Sequence, residues 1–186
     1  MLPLIIAGAV VLLLLLFIVL TYNNLVSKRN QVNNAWSQID VQLKRRHDLV
    51  PNLVNAVKGY MTHEQAILDR VTQARQAAIS AGGNVEQRAQ AENQLTAGLR
   101  QLFAVAEAYP QLRASENMAQ LQEELASTEN RIAFARQFYS DAVTTYNTAR
   151  ETLPAALFAS ILGFKPATLF TLDDVSDRAV PQVQFS

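Results

Sequence analysis

Residues 2 to 20, LPLIIAGAVVLLLLLFIVL, carry no charge and almost no polar side chain. A bilayer core about 30 Å thick is crossed by about 20 such residues in helical form. A cleaved signal peptide would look different. This run is longer than the usual apolar region of such a peptide, no lysine or arginine precedes it, and Thr21-Tyr22-Asn23 offers no small-residue cleavage site. Residues 1–22 are therefore expected to be an uncleaved transmembrane anchor. No glycine or proline occurs between Gly8 and Pro51, so one helix can run from the anchor into whatever follows. Counted from Leu4 to Val50, that rod would hold about 47 residues and span roughly 70 Å.

The stretch Ala35 to Tyr60, AWSQIDVQLKRRHDLVPNLVNAVKGY, continues it with a helical rhythm. Trp36, Ile39, Leu43, Val50, Val54 and Val57 fall along one side, an apolar stripe suited to packing against other helices. Gln38, Lys44, Arg45, Asn52 and Asn55 face the other way. His47 falls on the stripe and is read as a satisfied core histidine, with a pH-sensing role as the sharper hypothesis. Pro51 should kink the rod, because it lacks an N–H for the helical ladder.

Charge adds an orientation. The first basic residues, Lys28 and Arg29, lie on the carboxyl side of the apolar run, followed by Lys44, Arg45 and Arg46. Positive flanks stay in the cytoplasm, which favours a short outside amino end and a cytoplasmic body. The net charge of zero hides an asymmetry: residues 28 to 75 hold eight Lys/Arg against four Asp/Glu, and residues 85 to 186 hold eight against twelve. We read this as two halves that pack with complementary faces; the alternative is a basic region held near anionic headgroups. There is no cysteine, hence no disulfide framework and no thiolate chemistry.

Residues 23–153 read as a helical bundle. Thr62-His63-Glu64-Gln65 resembles a capping box opening a new helical stretch, continued by Ile67, Val71, Ala74 and Ala78. Gly82-Gly83-Asn84 is the clearest turn. The next helix buries Leu95, Leu99, Leu102 and Ala106 and ends before Tyr109-Pro110, since the residue ahead of a proline is pushed out of helical geometry. From near Ser115 the positions Met118, Leu121, Leu125, Thr128, Ile132, Ala135, Tyr139, Ala142, Tyr146, Ala149 and Leu153 alternate spacings of three and four. Such a seam is the signature of coiled-coil-like packing, it would span roughly 53 Å, and Pro154 ends it. No segment alternates with a period of two. The expected fold is all-α: an N-terminal transmembrane helix leading into an antiparallel helical bundle with long heptad-patterned helices.

Residues 154–186 form an apolar short helix and an irregular C-terminal tail. Leu157, Phe158, Ile161 and Leu162 are close enough to make one face of that short helix. The expected role of residues 155–164 is a cap over the open end of the bundle, with a second membrane-surface or partner contact as the functional alternative. Asp173, Asp174 and Asp177 lack the glycine and closing glutamate of a calcium loop and read as a solvated acidic loop.

Reaction machinery is not announced. His47 and His63 lie sixteen apart and form no close metal pair. Asp40 and Lys44 fit an ordinary surface ion pair on a helix. No serine or threonine has a base placed by a recognisable motif, and basic residues are not interleaved with aromatics as nucleic-acid binding would favour. No catalytic, cofactor-binding or metal-ligating residue is assigned, and no cofactor is expected.

Three blocks carry a family resemblance: RNQVNNAWSQIDVQLKRRHDLVPNLVNAVKGY, then YPQLRASENMAQLQEELASTENRIAFARQFYSDAV, then the proline-limited tail containing GFKP. Together they resemble the LemA family over essentially the whole chain after the anchor. The resemblance implies a small bacterial membrane protein with one amino-terminal span and a helical body, placed in the inner (cytoplasmic) membrane. One branch of that family is associated with magnetosome membrane formation, which points to membrane organisation. No family catalytic motif carries over onto these residues. The family name is shared with a sensor kinase, but this chain has no glycine-rich nucleotide loop and no kinase signature. The function expected is a non-enzymatic, single-pass membrane scaffold that contacts lipid and self-associates into a homo-oligomer. The alternative is a membrane-anchored adaptor or sensor recruiting a protein partner, through the basic face of Lys44 to Arg46 or the apolar tail. Nucleic acid is not an expected partner.

Overall fold

The uninterrupted helix expected from the amino terminus is present. The computed structural model describes residues 1–61 and 63–170, and among them there is no strand. Helix α1 runs Leu2–Lys58, α2 Gln65–Ser80, α3 Val85–Ala106, α4 Pro110–Arg113 and α5 Glu116–Glu151; a single 3₁₀ turn follows at Ala155–Leu157. The residues group into two compact units, Met1–Leu43 with Asn130–Leu169, and Lys44–Glu129 with Phe170. Helices α1 and α5 each contribute to both.

The second unit is built around four helical segments. Its core gathers Leu49, Val50, Leu53 and Val57 of α1, Leu68, Val71, Ala74 and Ala78 of α2, Leu95, Leu99, Leu102 and Ala106 of α3, and Met118 and Leu125 of α5. Every position expected to be buried on α3 is buried. Two stripes differ by one residue from the expected ones: Leu53 rather than Val54 on α1, and Leu68 rather than Ile67 on α2, take the central places. A helix repeats every 3.6 residues, so neighbouring apolar side chains compete for a place that periodicity alone does not resolve. Helices α2 and α3 approach closely at Gly98, where an added Cβ would lie 3.4 Å from Val71 Cγ2.

Pro51 does not end α1, which continues for seven more residues to Lys58. A proline here has no N–H for the carbonyl four residues back, which belongs to His47. Arg75 of α2 takes that place: its Nε donates to the His47 carbonyl at 2.7 Å. The expected capping box at residues 62–65 rests on Thr62, which lies outside the described residues; α2 begins at Gln65 with Glu64 as its cap residue, and the Glu64 side chain makes no capping hydrogen bond. Asn84 does cap α3, its Oδ1 accepting from the Glu86 N–H at 3.0 Å. The acidic residues 173, 174 and 177 and the end of the tail lie outside the described residues.

In the first unit, the front of α1 pairs with the rear of α5. The Trp36 and Tyr139 rings are 5.5 Å apart. Further back along α1, Tyr22 meets Phe164, which lies beyond the end of α5. Chain order therefore runs in opposite senses, and the pair is antiparallel. Leu25, Val32, Ala35, Ile39 and Leu43 are buried on α1; Ile132, Ala135, Tyr139, Val143 and Tyr146 are buried on α5. The expected seam holds from Met118 to Tyr139. At one step it differs, with Val143 buried where Ala142 was expected; Tyr146 is buried as expected, and Leu153, expected as the last seam residue, is exposed beyond the end of the helix. With 3.6 residues per turn, two successive apolar residues lie close enough to the seam that a three-four spacing does not decide between them.

Candidate functional site

Two places concentrate chemistry that packing alone does not call for. The first is a buried ionic cluster in the second unit. Arg46 is only 1% exposed and Glu92 fully buried. The Arg46 guanidinium pairs with Glu92 Oε2. Its Nη1 also donates to Glu129 at 2.9 Å and to Thr96 Oγ1 at 3.0 Å. The Thr96 hydroxyl in turn donates to the Glu92 carbonyl, one helical turn back. His47 Nε2 lies 2.8 Å from the other Glu92 oxygen, so both carboxylate oxygens of Glu92 are occupied.

Burial pushes the Glu92 carboxyl upward, but the hydrogen bond from His47 and the Arg46 charge outweigh it, leaving Glu92 below the usual carboxylate range. An ionised carboxylate only accepts, so the His47 ring nitrogen donates. Burial likewise disfavours the Arg46 charge, and the Glu129 and Glu92 carboxylates overcome that, holding the guanidinium above its ordinary value. The cluster joins α1, α3 and α5 through charge. Because Arg46 and Glu92 are sealed from solvent, it is suited to fixing helix register rather than to meeting a substrate.

Sequence reasoning placed His47 in the core with a partner, and that is where it sits. It also placed Arg46 on a basic face with Lys44 and Arg45. That assignment is corrected: Lys44 and Arg45 are exposed, while Arg46 is buried among carboxylates. Here one basic residue from the 28–75 stretch meets two acidic residues from beyond position 85. A signal for it was present. Arg46 falls three residues after Leu43 and Glu92 three before Leu95, so each occupies a stripe position of its own helix. His63, by contrast, is exposed. Among the described residues no group of three or more acidic or histidine side chains could hold a metal ion.

The second place is the amino-terminal half of the first unit. Nearly every side chain from Leu2 to Leu20 is exposed, and this apolar part of α1 is long enough to cross a membrane while none of it is buried by the protein. Just past it, Tyr22 packs edge-on against Phe164 with centroids 5.4 Å apart, and the Arg29 guanidinium lies 5.3 Å from the same ring centre. Gly163, with φ of +78°, makes the turn that delivers Phe164, in a region open to glycine and costly to other residues. The chain is then strapped to α5. Tyr146 donates its hydroxyl to the Lys165 carbonyl at 2.8 Å, Asn147 exchanges two hydrogen bonds of 2.9 Å with Ala167, and Tyr139 donates to the Thr168 carbonyl at 2.8 Å. Burial pushes the Tyr146 phenol upward, against the opposing charges of Arg29 and Arg150.

The cap expected from residues 155–164 is corrected by the same geometry. Ala155, Ala159 and Phe164 are the buried residues, whereas Leu157, Ile161 and Leu162, expected as the packing face, are exposed.

Comparison with known proteins agrees with the resemblance read from sequence. The chain is 24% identical over 188 residues to the magnetosome protein MamQ 2 of Paramagnetospirillum magneticum, covering 88% of this chain and 69% of the relative. It is 25% identical over 193 residues to magnetosome protein MamQ of Magnetospirillum gryphiswaldense, covering 89% and 71%. It is 24% identical over 153 residues to protein LemA of Metamycoplasma hominis, covering 82% and 70%. The LemA family model matches residues 35–185, which take in the buried ionic cluster and the strapped segment alike, and the chain belongs to the LemA family.

Proposed function

We propose that this chain is a non-enzymatic, single-pass membrane scaffold, rooted by residues 2–20, that self-assembles and organises the membrane it sits in. One observation carries the reading. The apolar run is left bare by the rest of the protein, yet it is the beginning of the same helix whose later turns are buried in packed helices. An apolar run of this length, bare at nearly every position, would be untenable in water, and lipid is the solvent that suits it. Within the first unit, the same helix goes on to pack against α5, so lipid and protein hold successive parts of one element. The relatives whose names place them in the magnetosome support a role in membrane organisation.

Self-assembly is supported by a groove of about 590 Å³ on the first unit. It is lined by Val41, Phe134 and Phe138, all exposed, beside the polar Ser37, Gln38 and Arg131. Exposed phenylalanines side by side on a helix are unusual for a surface meant only for water. Anchoring confines copies to two dimensions and so raises their effective concentration. The body on the cytoplasmic side of a bacterial inner membrane fits the basic residues that follow the apolar run.

The deciding experiment is the mass of the complex extracted into nanodiscs, with co-purifying proteins identified in the same sample. A complex built only of this chain is expected. A single copy with one reproducible foreign protein would replace the scaffold by an adaptor.

A further inference from the structure

The segment between α5 and the strap, residues 152–164, reads TLPAALFASILGF and contains no charged residue. Its larger aliphatic side chains are turned out: Leu153 is 76% exposed, Leu157 63% and Ile161 83%, with Leu162 partly exposed. The small residues Ala155 and Ala159 are buried instead, together with Phe164 where the segment ends. In a soluble protein this distribution would be inside out. It is not a floppy end, because Phe164 is held by Tyr22 and Arg29, and residues 165–168 are hydrogen-bonded to Tyr139, Tyr146 and Asn147.

The level of the segment along α1 follows from the antiparallel pair. Trp36 stands beside Tyr139. Both helices rise 1.5 Å per residue, so seven residues back along α1 and seven on along α5 bring Arg29 level with Tyr146, whose phenol senses the Arg29 charge. Seven more bring Tyr22 level with Leu153. The segment therefore leaves α5 at about the level of Tyr22 and returns there at Phe164, which packs on Tyr22, and Tyr22 is only about 3 Å along the axis from Leu20, where the apolar run ends. Arg29, Arg150 and Lys165 stand just on the other side of that level, where lipid phosphates would be, with Arg150 shared with Glu151 at 2.6 Å. Tyrosine at the boundary, basic residues outside it and aliphatic residues inside it is the order that a membrane interface imposes.

We propose that residues 153–163 are a second membrane contact: an apolar loop that enters the interfacial layer of the leaflet from which α1 emerges, inserting Leu157, Ile161 and Leu162 beside the anchor. Its occupant is the bilayer itself, because the exposed apolar surface is continuous in level with the helix that lipid already covers. Two attachments at one end fix the rotation of α1 about its axis and its tilt, which a lone spanning helix leaves free. They also wedge apolar volume into one leaflet only, a direct means of acting on membrane shape. The inference rests on reading residues 2–20 as the anchor, and its test separates the two.

The full chain has no cysteine, so single cysteines can carry an environment-sensitive NBD dye. Ile161→Cys, Val11→Cys in the middle of the anchor, and Asn52→Cys on the polar face of α1 are each labelled and reconstituted into phosphatidylethanolamine–phosphatidylglycerol vesicles. Quenching is then read with lipids spin-labelled shallowly or deeply. The expected result is that the Ile161 probe is blue-shifted and loses most of its emission to shallow quenchers, the Val11 probe loses most to deep quenchers, and the Asn52 probe is unaffected by either. An unquenched Ile161 probe beside a quenched Val11 probe overturns the second contact and leaves the anchor standing. An unquenched Val11 probe overturns both. A blue-shifted Ile161 probe that lipid does not quench, but that crosslinks to a second copy or another protein, also overturns the proposal and assigns the segment to a protein interface.

Discussion

At the scale of single residues, Glu92 bears the most consequence. It is a buried carboxylate whose two oxygens are claimed by Arg46 and His47, and removing it strands an arginine among helices. Breaking a buried pair on one side costs about 3–5 kcal/mol. Glu92→Gln should cost about 3 kcal/mol, the lower end of that range, because Glu129 still meets Arg46 from a partly exposed position. The pH dependence has a definite sign. The Glu92 pKa is lowered by folding, so its stabilisation is present above the unfolded carboxylate value of about 4.3 and is lost as pH falls through the lower folded value. Denaturation followed by circular dichroism in detergent should therefore show an acid limb below about pH 4 that is shallower in Glu92→Gln. An identical limb in both proteins would assign the acid sensitivity to other carboxylates. This cluster was half legible in the sequence. The core place of His47 followed from its stripe position, but in the run Arg45-Arg46-His47 composition says only that the segment is basic. That Arg46 rather than Arg45 joins His47 inside depends on where Glu92 and Glu129 arrive, and they come from distant helices.

At the scale of elements, long periodic helices were the readable part, and their joints were not. The buried face of α3 and the seam of α5 as far as Tyr139 follow from spacing, because burying one face of a helix demands it. The exchange of Ala142 for Val143 is a choice between neighbours that spacing does not resolve, and Leu153 falls beyond the end of α5 at Glu151. Pro51 was read as a kink, and the helix passes through it because Arg75 serves the carbonyl that the proline leaves without its donor. That compensation is open to a double-mutant cycle. Arg75→Ala should cost about 1–3 kcal/mol by leaving the His47 carbonyl unsatisfied. In a Pro51→Ala background the restored N–H can serve that carbonyl, so the same change should cost much less; equal costs in both backgrounds would break the link between them. The α2–α3 contact makes a second prediction. At Gly98, an alanine adds a Cβ at ordinary contact distance from Val71 and gains up to about 1 kcal/mol of helix propensity. A leucine there must push the helices apart and should cost about 1–3 kcal/mol. Thermal denaturation of the two variants should move in opposite directions, and a destabilised Gly98→Ala would mean the contact is tighter than it looks.

At the scale of the whole molecule, the proposed scaffold has to explain apolar surface that neither its own core nor the membrane covers. Phe134 is 77% exposed, and with Phe138 and Val41 it lines the groove on the first unit. The groove borders the seam at Ala135; Phe134 and Phe138 are one helical turn apart, so both belong to one stripe. Residues 37–42 and 131–138 are well removed in sequence from the anchor and from the exposed loop at Leu153–Gly163, so lipid is not the natural cover for them. In the proposed scaffold a second copy of the chain covers them, since each copy carries the same stripe and an anchor would keep copies side by side. Phe134→Ser with Phe138→Ser should then leave helicity and membrane extraction unchanged, because neither side chain is in the core, while lowering the mass of the nanodisc complex. Reversing the sign of a neighbour tests the same face independently. Arg131 borders the groove, and Arg131→Glu in each copy would change the charge at a contact between like surfaces without touching its apolar centre. A smaller complex in the double serine variant, with full helix content, would place self-assembly on this stripe. An unchanged mass in both variants would remove the groove from the assembly and leave the scaffold to be built through the anchor alone.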